Sequence, residues 1–419
     1  MMFQASRAML VKRSVAALAL GLFFMPVAAD AQWTVANADP PQSTPLRLGP
    51  LALAPSIAVT NLGWDSDVFQ EGGESAGDFT ATTTPQVQGW MRLGQARIRG
   101  RGAVAFTYFQ TYASERSTDT DFAVRLDWRL ARVTPYVSGG WVNAKQRFGF
   151  EVDDRIRRRE TTGTGGVNVA VGARTTVDVS GGRTEFRYDH SAEPQDPFVS
   201  EFDDYTSDGG SLEVEHELTA LTSMSVTMYG SQDRFDEAPE RDTDRVGINA
   251  GLELRPFALV SGGIYVGWLR MDLVESTGSS FSGLVTYGNL GYTLLGTTRF
   301  TVEVQRDVQY SAIRNQQAYL LAGVSGSVNH RLGDTWDIGA RTGRHKMSYG
   351  LFESSDGESG ALTGVTEEIV TDYGGEVGCR LAPNLRVGFG VRKQDRHSTV
   401  DAIRGYDRTV VGMSLNYVF

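Results

Sequence analysis

The chain has 419 residues, 40 Lys and Arg against 50 Asp and Glu, a net charge of −10 and one cysteine, Cys379. The acidic balance argues against a nucleic-acid partner, and a lone cysteine excludes an intramolecular disulfide. Mean hydropathy is −0.25, and beyond residue 31 no apolar run approaches the roughly 18 residues of a spanning helix, so hydropathy alone reads as a soluble protein.

At the start of the chain Arg7, Lys12 and Arg13 precede an apolar run, SVAALALGLFFMPVAA, and small residues Ala29 and Ala31 stand just before Gln32. That order of charge, short apolar core and small-residue site makes 1–31 a secretory signal peptide rather than an anchor helix, and places the mature chain outside the cytoplasm. Segment 32–50 holds four of the 13 prolines and little periodicity. It reads as an extended lead-in, with 32–45 a short periplasmic extension, too short for a plug domain, and the main body beginning at 46.

From there on the signal has period two, the spacing of a strand whose successive side chains face opposite ways. In FAVRLDWRL, Phe122, Val124, Leu126, Trp128 and Leu130 oppose Arg125, Asp127 and Arg129. In RVGINAGLELR, Val246, Ile248, Ala250, Leu252 and Leu254 oppose glycines, Asn249 and Glu253. LRVGFGVRKQDR repeats the pattern with Leu385, Val387, Phe389 and Val391 against Arg386 and Arg392. The connections alternate as well. Short turns fall near 92–96, 131–134, 172–175, 219–222, 255–258, 295–297, 331–334 and 381–384, and longer, mostly acidic segments lie between them. Eight short and nine long connections join 18 strands. The expected fold is all-β, a transmembrane antiparallel up-and-down barrel over 46–419, with the apolar parity toward lipid and the polar parity toward a lumen. A large soluble propeller or sandwich would also alternate. Aromatics including Trp64, Trp90, Tyr108, Trp128, Tyr188, Tyr310 and Tyr373 fall near strand ends, as in interfacial girdles. The Gly pairs 139–140, 181–182 and 262–263 read as bulges or bends, with a change of parity near 181 that would turn Phe186 and Tyr188 outward. Arg306 shares the parity of Val302, Val304 and Val308, and is costly on a lipid face unless it reaches the rim.

The last strand, VVGMSLNYVF, alternates to its final residue and would close the cylinder against a first strand near 51–64. Tyr417 and Phe419 resemble the carboxyl-terminal assembly signal of bacterial outer-membrane barrels, which implies the barrel-assembly machinery as a partner. More narrowly, RLGPLALAPSIAVTNLGWDSDVF and DRVGINAGLELRPFALVSGGIYVGW resemble the β-barrel porin 2 family, outer-membrane barrels often associated with exopolysaccharide systems. The resemblance implies shape and location. It carries no catalytic residues.

Candidate functional residues are the charges of the polar parity. Arg97, Arg99, Arg101, Arg125 and Arg129 fall on neighbouring strands, and Arg386, Arg392 and Arg396 on the next-to-last. Glu213, Glu215, Glu217, Glu253, Glu303 and Asp307 lie on other strands. Segregated in this way they would set a transverse field across a water-filled pore, while a plainer alternative is a wetted lining whose charges exchange partners freely. The five histidines are scattered and accompany no hydrolase, zinc, nucleotide or dinucleotide motif, so no cofactor, metal or enzymatic role is expected. The expected function is a porin-like pore for polar solutes, or an outlet for a polysaccharide. A non-conducting adhesion barrel and a membrane-embedded hydrolase are the alternatives. Loops 190–204 and 350–364 are the expected constriction or binding surface.

Overall fold

The computed structural model describes residues 39–41, 44–70, 76–190, 203–255, 259–275, 280–314, 316–352 and 365–419. The expected signal peptide, residues 32–38 and 42–43 of the lead-in, and 191–202 and 353–364 of the loops expected to form a constriction or binding surface lie outside these residues. A short β1 (Leu46–Leu48) folds back on the start of β2 (Leu51–Asp65). There follow β3 (Asp78–Leu93), β4 (Ala96–Phe109), β5 (Ser117–Trp128), β6 (Val133–Gln146), β7 (Ile156–Ala170), β8 (Thr175–Tyr188) and β9 (Tyr205–Thr219). The second half comprises β10 (Thr222–Phe235), β11 (Thr243–Leu254), β12 (Val260–Leu273), β13 (Ser280–Leu294), β14 (Thr298–Tyr310) and β15 (Ala318–Leu332). It ends with β16 (Trp336–Ser348), β17 (Glu367–Ala382), β18 (Leu385–Ser398), the four-residue α1 (Asp401–Arg404) and β19 (Tyr406–Val418).

Each strand from β2 to β19 pairs antiparallel with its sequence neighbours, and β19 pairs with β2, giving a closed ring of 18 strands. Closure is what lipid demands, because an open edge would leave backbone donors and acceptors without partners. The apolar parity faces outward, where Val137, Val179, Ile248, Val302, Val324 and Phe389 are exposed on the wall. Hydrophobic side chains buried within the protein instead gather where extracellular ends and loops fold inward, as in the group Leu269, Met271, Val285, Val308 and Ala318.

Register corrects three expectations. None of the Gly pairs 139–140, 181–182 and 262–263 carries a shift; Gly181 and Gly182 stand in unbroken ladders with β7 and β9. Parity on β8 therefore never changes, and Phe186 and Tyr188 point into the barrel with Asp178, not toward lipid. Trp90, opposite Arg99, and Tyr310 are likewise inside rather than in a girdle. Shifts occur instead at Thr60/Gly63 in the β2–β3 ladder, at Met413/Leu415 on the closing seam, at Thr222/Ser223 and at Arg380/Ala382.

The seam explains one glycine. A Cβ on Gly63 would lie 2.0 Å from the Val411 carbonyl oxygen and 2.6 Å from the Gly412 Cα, so the two strands approach as closely as they do only without a side chain there. Gly63→Val is expected to hinder closure and to lower the yield of the folded, heat-modifiable species on gels after refolding, while Gly163→Val, whose Cβ meets nothing within 4 Å, leaves the yield unchanged.

Candidate functional site

The inward parity of β4 and β5 builds a basic wall. Asp127, with 0% exposure, sits between two arginines: Arg99 donates to it through Nη2 at 2.8 Å and Arg125 through Nε at 2.9 Å. The Arg125 guanidinium also stacks 3.7 Å from the Tyr136 ring centroid. Arg101 pairs with Asp121 at 3.3 Å. At the short-turn end, Asp39 of the lead-in reaches Arg92, Arg97 and Arg129 at 3.4, 3.0 and 3.3 Å. The basic lining continues beyond the closing seam on β18, where Arg386 pairs with Asp337 at 2.5 Å and Glu376 at 2.6 Å, and Arg392 shares its inward parity.

The acidic residues occupy a different arc. Glu213, Glu215 and Glu217 share the inward parity of β9, opposite β10 and β8. Glu213 accepts from Thr227 Oγ1 at 3.0 Å, Glu253 of β11 from the Tyr265 hydroxyl, and Glu303 of β14 from Asn289 Nδ2 at 2.7 Å. Of the set, Glu217 has a cationic neighbour, Arg255, at the turn end. The expected segregation is thus present in position, but the basic side is held in fixed pairs, so the picture of freely exchanging partners does not describe Arg99, Arg125 and Asp127. Asp307 lies on a stretch of β14 that has left the wall: β13 and β14 pair only as far as Thr286 opposite Arg306. Above that point β14 and β15 lean inward, and Tyr310 packs on Phe235 and beneath Arg245, with its hydroxyl on Asp233 at 2.5 Å.

The lumen is crossed by a loop that sequence reading did not single out. Residues 147–155 leave β6 and β7 and dock against β15–β18, nearly half the circumference away. Phe150 stacks on His345 of β16 with ring centroids 4.2 Å apart. Val152 is buried against Ala312. Glu151, 2% exposed, accepts from Ser311 Oγ at 2.5 Å and from the Ala312 amide at 2.7 Å. Its own carbonyl accepts from Arg404 at 2.7 Å and Arg396 at 3.3 Å. Asp153 pairs with Arg396, and Arg404 pairs with Glu368 at 2.6 Å. Arg147 anchors the near side by donating to the carbonyls of Asp153 and Val68. The only sequence cue to this docking is a loop alternating aromatic or aliphatic with acidic residues, FGFEVDD; its partners lie some 160 to 250 positions away.

Residues 39–419 match the family described as Putative beta-barrel porin 2. The chain belongs to that family. Among solved structures, a BenF-like porin from Pseudomonas fluorescens Pf-5 is 9% identical, with 89% of this chain and 99% of that one covered at a TM-score of 0.50. OccK2 (OpdF) and OpdK from Pseudomonas aeruginosa are each 10% identical, with TM-scores of 0.49 and 0.48; the alignments cover 88% and 89% of this chain and 97% and 100% of theirs. At such identities the likeness to the BenF-like porin is one of fold. No curated protein matches in sequence. This member of the barrel porin family is a porin-like barrel of the outer membrane, with long loops on the extracellular side and short turns on the periplasmic side.

Docking of the crossing loop is tied to pH. Burial pushes the Glu151 carboxyl up from 4.5 to about 7, against the lowering pull of Ser311, the Ala312 amide and Arg404, with Glu368 raising it further. Burial likewise lifts Asp153 from 3.8 to about 6, despite Arg396, Arg404 and Arg147. Each carboxyl binds its proton more tightly docked than free, so its contribution is fully present below the free value and is lost as pH rises through the docked one. The loop is expected to be held best near pH 4 and to loosen toward pH 7, read as growing hydrogen exchange of 147–155; Glu151→Gln should flatten most of that dependence. Asp127→Asn, which removes the buried charge that Arg99 and Arg125 share, should destabilise the barrel by about 3–5 kcal/mol, measured as a lower urea midpoint of refolded protein.

Proposed function

We propose that the barrel is a passive, porin-like route for small polar solutes, with loop 147–155 as its constriction. The observation that carries this reading is the loop itself, laid across the lumen between a basic arc on β3–β5 and β16–β18 and an acidic arc on β8–β14. A solute passing such a gap meets positive groups on one side and negative groups on the other, which orients dipolar molecules and biases ion flow. The charges named above, from Arg97 to Arg392 and from Glu213 to Asp307, are its lining.

An outlet for a polysaccharide is the second reading, and the latch favours it: a strap held by Glu151, Asp153, Arg396 and Arg404 is releasable, where a covalent or purely apolar plug is not. A hydrolase finds little support, since His190 pairs with Asp204 near one rim, His216 and His330 meet threonines near the other, and His345 stacks on Phe150. Tyr417 and Phe419, in edge contact at 4.8 Å with Phe419 57% exposed, fit the role of an assembly signal read by the barrel-insertion machinery.

Single-channel conductance of the refolded mature protein across a salt gradient tests the reading. Open steps are expected, with selectivity moving toward cations in Arg97→Gln/Arg101→Gln, and Arg396→Gln is expected to enlarge the conductance by loosening the strap. An inserted, heat-modifiable barrel that never conducts, with or without Arg396→Gln, refutes a passive pore.

A further inference from the structure

Arg306 is the residue that alternation leaves unexplained, and its surroundings give it a role. It stands on the outward parity of β14, at the last rung shared with β13. Above that rung the wall parts, because β13 continues in its ladder with β12 as far as Ser280 while β14 follows β15 inward. The Leu284 carbonyl, left without a strand partner on that side, accepts from the Arg306 guanidinium. One cationic side chain therefore closes the backbone account at the split, and its position is fixed by the wall.

Two more cations share this patch. Register places Arg306, Ala322 and Lys346 in one cross-strand row, and Val304, Val324 and Arg344 in the row beneath. With strands spaced about 4.8 Å apart, Arg306 and Lys346 rise roughly 10 Å from one another on either side of a single methyl group. The groove between them has a volume of about 440 Å³, a floor of Val304, Ala322 and Val324, and walls formed by the three cations. Lys346 is held by Glu367 at 2.5 Å. Among the described residues, neither Arg306 nor Arg344 has a carboxylate partner.

Height matters as much as charge. Tyr373 is exposed on the outer wall, opposite Thr342 and one rung below Arg344, and Trp336 is exposed at the periplasmic end of the same β16. Eight residues of tilted strand separate Trp336 from Arg344 and ten separate it from Lys346, rises of about 20 and 25 Å against an apolar band of about 25 Å, which puts the groove at the upper edge of the hydrocarbon, where long cationic side chains reach up to the extracellular headgroups. An aliphatic floor opening downward to acyl chains, with arginines at phosphate depth above it, is complementary to an amphiphile with an anionic head.

We propose that Arg306, Arg344 and Lys346 form a binding site on the outer wall for a phosphorylated lipid of the outer leaflet. The headgroup phosphate lies between the two guanidinium groups, the ammonium adds a third contact by sharing Glu367, and an acyl chain covers Val304, Ala322 and Val324. The lipid would thereby seal the wall where β13 and β14 part.

Native mass spectrometry of the full mature chain in neutral detergent tests this, with bis-phosphorylated lipid A, the same lipid stripped of phosphate, and phosphatidylglycerol as probes. Lipid A is expected to be retained, the phosphate-free form to be lost, and Arg344→Gln/Lys346→Gln to weaken retention about tenfold or more, while Arg270→Gln, an outward arginine paired with Asp272, leaves it unchanged. Phosphatidylglycerol retained with the same sensitivity to those substitutions also supports a phosphate-lipid site. Equal retention of phosphorylated and stripped lipid, or no loss in the double variant, overturns the proposal. Heat-modifiable mobility confirms folding of each variant, and single Arg344→Gln serves where the double variant fails to fold.

Discussion

Everything in this molecule depends on the backbone hydrogen bond in a medium that offers no substitute for it. Inside hydrocarbon a free N–H or C=O costs several kcal/mol, so the chain must form a ring, and the ring must close between its first and last strands. Closure needs the bulged seam at Gly63 and Met413. The same rule bears on the place where β13 and β14 separate: an arginine fills in for the missing strand.

With the wall fixed, parity sorts the chemistry. Outward positions need only be apolar, and inward positions are free to carry charge. The interior does not behave as a uniform wetted lining, however. Asp127 is buried between two arginines and Asp39 is shared among three, whereas Glu213, Glu253 and Glu303 rely on hydroxyl and amide donors. The two arcs thus differ in the kind of partner that holds them as well as in sign.

Much of this was legible in the sequence. Period-two alternation and alternating connection lengths gave the strand number and the sidedness, because both are local properties with a fixed geometric meaning. The lumen charges followed from parity alone. Three things were not legible. Gly pairs on β6, β8 and β12 looked like bulges, yet a glycine permits a register shift without requiring one, and neighbouring ladders kept these regular. Tyr188 and Tyr310 looked like girdle residues and Phe186 like an outward one, but near the extracellular ends an aromatic finds as good a home against inward-folded loops as at the headgroups. The crossing of 147–155 escaped notice because its docking is written in Ser311, Glu368, Arg396 and Arg404, far along the chain, and no local pattern encodes that complementarity.

Asp39 brings a different kind of consequence. It belongs to no strand, and it reaches the periplasmic mouth on a length of chain that precedes the wall. A carboxylate delivered in this manner is a tethered ligand, present at an effective concentration on the order of millimolar regardless of what the periplasm contains. An anion arriving from that side would compete with a resident before touching Arg92, Arg97 or Arg129, whereas one descending from the extracellular side would come to Arg101, whose side chain is 30% exposed, before the buried Arg99 and Arg125. The two mouths of the cylinder thus present differently occupied arginines, and the asymmetry comes from the lead-in rather than from the barrel.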